Sequence, residues 1–163
     1  MSKRIIKFRA WGQIDEIGPQ MFLQENDWAF EFASDGVTLC YLGDKNDGKI
    51  QASTVYPPAT IKGLVIMQWT GLTDKNGKEI YEGDILRYNY EIKGNERSNI
   101  FLGEVVCRDM VLDRGDSQAR HVGFILRGVE KDGSNWYSYL PNIKNIEVIA
   151  NIYENPDLLT TKA

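Results

Sequence analysis

The stretch GDILRYNYEIKGNERSNIFLGEVVCR, residues 83–108, decides the fold class of this chain. Gly83-Asp84 opens a run of β-favouring Ile, Leu and Tyr over residues 85–90. A polar loop at 93–99 separates it from a second run, 100–108, in which Gly103 is expected to mark a bulge. Two further strand-like runs, 122–129 and 135–140, flank the turn Lys131-Asp132-Gly133. In the last run, 146–153, Ile146, Val148, Ala150 and Ile152 form one alternating face. Short strands punctuated by turn residues predict a small SH3-like or otherwise barrel-like β domain over residues 63–156. Between the runs, residues 112–120 are charged and without period, and read as a loop. Residues 157–163 form a tail, a short helix or frayed.

Upstream the signals are sparser. Residues 64–69 form a short apolar strand, and Asp74-Lys75-Asn76-Gly77-Lys78 reads as a type I′ hairpin turn. Residues 28–33 and 37–42 form a hairpin about Ser34-Asp35-Gly36, and residues 4–11 alternate as a strand. Gly18-Pro19 marks a turn and leaves room for at most one helical turn in 13–26. Pro57-Pro58 breaks the stretch 49–62, read as a connection. The expected organisation is therefore an N-terminal β segment, 1–62, followed by the barrel-like part, with few short helices.

Composition agrees with a β protein. The chain has 163 residues, 42% of them apolar, and is rich in aromatics (4 Trp, 8 Tyr, 6 Phe) and in Gly (15), enough for a packed core and many turns. A net charge of −4 argues against whole-molecule attraction to nucleic acid or anionic lipid. Cys40 and Cys107 stand in no motif and read as reduced, buried thiols of a reducing cytosol. With no secretory h-region and no apolar run of membrane length, the expectation is a cytoplasmic protein that does not engage a membrane.

Three motifs carry a family resemblance: IKFRAW at 6–11, VIMQWTGLTDKNGKEIYEGDI at 65–85, and EVIANIYENP at 147–156. In this order they strongly resemble the YopX proteins of bacteria and their prophages. The chain departs from the pattern in residues 13–63, which align with no motif, and at Ala150, where the family usually has Gly. The resemblance implies a phage or prophage origin and supplies no catalytic, cofactor or metal residues. The shared motif is better explained as folding code.

The residues themselves offer little chemistry. Asp84, with Glu79 and Glu82 nearby in sequence, is a weak candidate carboxylate for a hydrolase. His121, the single histidine, lies next to Arg120 in no nucleophile motif. One histidine and two distant cysteines make no zinc site. The loops beginning at Asp44 and Asp74 lack the acidic twelfth residue of a calcium loop, where Val55 and Ile85 stand. No cofactor, metal or catalytic residue is assigned. A nucleic-acid interface would use Lys3, Arg4, Lys7, Arg9 and Trp11, with Lys7, Arg9 and Trp11 on one strand face, although a solvated edge strand explains the same pattern. A protein interface would use Trp28, Trp69, Trp136, Tyr137 and Tyr139, too many large side chains for one small core. The leading expectation is an accessory protein that acts by binding or by assembly as a homo-oligomer, with a phage or host protein as partner. Nucleic-acid binding is the alternative, and a hydrolase the third reading.

Overall fold

The computed structural model describes residues 5–15, 17–23, 28–34, 36–42, 54–57, 60–91, 98–113, 118–129, 133–140 and 145–159. The chain is mainly β and divides into two compact units, Met1–Gln68 and Trp69–Ala163. The division falls inside a strand, past Gly63. No helix among the described residues is long and apolar enough to cross a membrane.

In the first unit, strands β1 (Phe8–Ile14) and β2 (Gly18–Leu23) pair antiparallel, and β1 also pairs with the first part of β6 (Ile61–Thr73). A second sheet, in the order β3-β4-β5, holds Trp28–Ala33, Gly36–Tyr41 and Thr54–Tyr56. Alternation puts Ala10, Gly12 and Ile14 on one face of β1. Ala10 and Ile14 pack there with Phe22, Leu39 and Ile61, against flanking Trp28, Phe30 and Tyr56. Gly12 is required by this contact, because a Cβ would lie 2.8 Å from Ile61 Cγ2. The segment read as a candidate helical turn contains β2. Gly18 turns the chain in the left-handed region (φ 87°), Ile17 N–H donates to the Ile14 carbonyl, and Pro19 sits at the strand start, where a missing donor is tolerated.

In the second unit, β7 (Glu79–Tyr81) pairs with the end of β6, and a five-stranded antiparallel sheet curls into a half barrel. Its strands are β8 (Asp84–Glu91), β9 (Ser98–Asp113), β10 (Gln118–Val129), β11 (Asn135–Tyr139) and β12 (Ile146–Asn151), in the order β11-β10-β9-β8-β12. Ile80, Leu86, Val105, Leu126, Ile146 and Val148 fill its core. Burying one such side chain contributes about 1.5–3 kcal/mol.

Several local expectations are corrected. Gly103 is not a bulge: β8 and β9 stay in register from Ile85↔Glu104 to Glu91↔Ser98. Instead it lies beside Gly128, across from which Trp136 stands, and the indole covers both glycines. The two ends of the stretch read as a loop, 112–120, belong to strands: β9 runs to Asp113 and β10 starts at Gln118, and the residues between lie outside the described residues. The Asn76-Gly77 turn is a three-residue loop rather than type I′: Gly77 N–H donates to the Asp74 carbonyl, Asp74 N–H donates to that of Lys78, and Gly77 takes positive φ. The tail holds a 3₁₀ turn, Pro156–Leu159.

Candidate interaction surfaces

Two carboxylates of the central motif, Asp74 and Asp84, serve the backbone, while Glu79 accepts from the Tyr81 hydroxyl at 2.7 Å. Asp74 is buried, and its two carboxylate oxygens accept N–H bonds from Asn76 (2.8 Å), Lys78 (2.9 Å) and Val148 (3.0 Å). Burial alone would push this carboxyl up; the three N–H donors, with the Lys78 charge, hold it below the ordinary carboxylate value. Lys75 N–H donates to the Ile146 carbonyl, so the Asp74-Lys75 turn occupies outward-facing groups at two alternate residues of β12. Asp84 is 1% exposed and accepts the Tyr81 N–H at 2.8 Å. Between them Gly83 adopts φ 79°, donates to the Val105 carbonyl and accepts from Ile152 N–H. The Asn151 side-chain oxygen accepts from Tyr153 and Glu154 N–H, closing the turn after β12.

Charge pairs follow the same logic. Glu104 and Arg127 stand directly opposite on β9 and β10 and form an ion pair with the carboxylate buried. Glu147 bridges Lys75 and Arg87 at the surface, and these two cations hold its carboxyl below the ordinary value. Among the described residues no three His, Cys, Asp or Glu side chains gather as a metal site. Cys40 is buried, and burial with the Glu31 carboxylate pushes its thiol up, whereas Cys107 is exposed, against the expectation of two buried thiols. His121 takes a β10 position opposite Met110, and its side chain lies outside the described residues.

Of the candidate nucleic-acid contacts, Lys3 and Arg4 lie outside the described residues. Lys7 and Trp11 are half-buried, and Arg9 is only 7% exposed, opposite Met67 on β6 and Leu23 on β2. Pairing on both sides makes β1 an interior strand rather than a solvated edge, and the Arg9 side chain is buried on one of its faces.

The candidate interface aromatics are all half-buried. Trp28 packs edge-on against Phe22 (ring centroids 4.6 Å apart) and joins the first unit's core. Trp69 Nε1 donates to the Leu72 carbonyl across a bulge that Gly71 and Thr70 shape. The remaining three, Trp136, Tyr137 and Tyr139, share β11, an end strand of the five-stranded sheet. Tyr137 lies under the Arg108 guanidinium, 5.8 Å from its ring centroid.

Sequence reasoning missed the β9–β10 ribbon. Beyond Glu104 and before Ile125, the two strands pair with each other without a third strand among the described residues, across Cys107↔Phe124 to Asp113↔Gln118. Arg120 and Asp109 pair across it, and Val122 is 69% exposed. The only sequence signal was a charged stretch without a period.

The crystal structure of protein EF1440 from Enterococcus faecalis is similar to this chain, with a TM-score of 0.55 and 26% identity, covering 96% of this chain and 99% of that one. No curated protein matches. The family model described as YopX protein matches residues 7–160, a span that holds all but the first residue of the N-terminal motif and the whole of the other two. Because that match runs over almost the whole chain, and because the motifs behind it hold the turns and strands just described, the protein belongs to the YopX family.

Proposed function

We propose that this chain is a binding protein without catalytic activity, working in the bacterial cytoplasm as a homo-oligomer in the service of a phage or prophage. The phage setting rests on the family. The observation that carries the reading is the fate of the motif carboxylates: Asp74 and Asp84 serve backbone N–H groups inside the second unit. A general acid or base needs a proton-transfer path to substrate, and a carboxyl engaged in this way is a folding device. Burial of Arg9 weakens the basic-strand alternative.

Light scattering on the purified chain, with and without a pool of single- and double-stranded oligonucleotides at low salt, tests the reading. A multimer whose mass the oligonucleotides leave unchanged is expected. A monomer at every concentration would overturn the assembly, and a salt-sensitive mass gain lost in Lys7→Ala would replace it with nucleic-acid binding.

A further inference from the structure

The two edges of the five-stranded sheet are built differently. At β12 the Asp74 carboxylate takes the Val148 N–H and Lys75 N–H fills the Ile146 carbonyl, so the turn blocks a further strand there. Glu147, Lys75 and Arg87 add charge to the same edge. Soluble sheets protect their edges with charge, proline, bulges or covering segments. The other edge, β11, reads Asn-Trp-Tyr-Ser-Tyr over 135–139, with no charged residue and no proline. Its pairing with β10 runs without a register shift, and no strand pairs with its outer side among the described residues.

We infer that the outer edge of β11 is the seam of the homo-oligomer, where it pairs antiparallel with β11 of a second copy about a two-fold axis at Tyr137. This rests on the assembly reading and adds the surface that performs it. The geometry is restrictive. Cross-strand neighbours point to the same side of a sheet, and a two-fold axis normal to the sheet keeps each side chain on its side. Only residues of equal parity can therefore face each other. With Tyr137 on the axis, Trp136 meets the partner's Ser138, and Asn135 meets the partner's Tyr139. Each bulky ring faces a smaller side chain, except at the axis, where two tyrosines meet as a favourable aromatic pair. No charge opposes its like. The five residues of the seam are uncharged and self-complementary, and the neighbouring cations are engaged within each copy, Arg127 with Glu104 and Arg108 on the Tyr137 ring.

The test is charge complementation at the axis. Tyr137→Lys and Tyr137→Glu each put like charges directly opposite and should halve the mass seen by light scattering, while a mixture of the two should restore it. Circular dichroism checks that each variant is folded. If the wild type is multimeric and both variants keep its mass, the seam lies elsewhere and this inference falls, although the assembly reading survives. A monomeric wild type ends both. Should the variants not fold, amide exchange of the wild type decides. Protection at 135–139 that falls on dilution supports the seam, and protection independent of concentration overturns it.

Discussion

Asp74 holds backbone N–H groups from a turn and from β12 at once, so truncating it removes more than one hydrogen bond. Asp74→Ala leaves the Val148 N–H buried without its acceptor and loosens the loop at Asn76 and Lys78. A loss of about 2–4 kcal/mol is expected from the urea midpoint, and Asp74→Asn, which keeps one acceptor oxygen, should lose about half as much. Gly128 is constrained from another direction: a Cβ there would lie 2.0 Å from an indole carbon of Trp136. At Gly103 it would meet the same indole at 3.2 Å and the Arg127 carbonyl at 3.3 Å. Gly128→Ala should therefore cost about 1–3 kcal/mol and change tryptophan emission, with Gly103→Ala the milder of the two. The reverse order would mean that the indole does not seat on Gly128. Neither glycine's partner is legible from sequence, because the pair forms only when β9, β10 and β11 are laid side by side.

The β9–β10 hairpin carries two cross-strand ion pairs in unlike surroundings, and they should respond differently to loss of the arginine. Glu104 is buried inside the sheet, so Arg127→Ala strands a desolvated carboxylate and should cost about 1–3 kcal/mol. Asp109 and Arg120 are exposed on the ribbon, and Arg120→Ala should leave the unfolding midpoint unchanged. Equal effects in denaturant titrations would contradict the burial contrast. The same contrast explains what a sequence reader sees in this element. Alternation appears in a strand only where one face meets a core, and the inner half of the hairpin, with Val105 and Leu126, provides it. On the ribbon no third strand pairs among the described residues, and 112–120 shows charge without period and reads as a loop. Likewise β2 was hidden by Gly18-Pro19, two residues that signal a turn but here stand at a strand start. The hairpin at 28–41 was readable because hydrophobic strands and a Gly turn agree.

Across the whole molecule, the three family motifs were legible as sequence, but their work was not, since it lies in bonds between distant segments. The central motif meets the C-terminal one through Asp74 to Val148, Lys75 to Ile146 and Gly83 to Ile152. The edge-strand reading of residues 4–11 was lost on the same ground: alternation cannot tell an edge from an interior strand, and β1 has a neighbour on each side. This network of acids gives the chain a defined response to pH. Asp74 titrates lower in the folded chain than in the unfolded one, so in that window the unfolded chain binds more protons and stability falls on acidification. Its contribution is complete above the ordinary carboxylate value of about 4 and is lost as the pH drops through the folded one. Asp109 and Glu147 are lowered as well, by Arg120 and by Lys75 with Arg87, but at the surface, where salt screens them. Urea midpoints followed from about pH 7 down to about pH 3 should therefore fall in two parts, one weakened by salt and one indifferent to it. Asp74→Asn should remove the indifferent part alone. If the variant keeps the full acid limb at high salt, the buried clamp does not carry it and the loss belongs to carboxylates elsewhere in the chain.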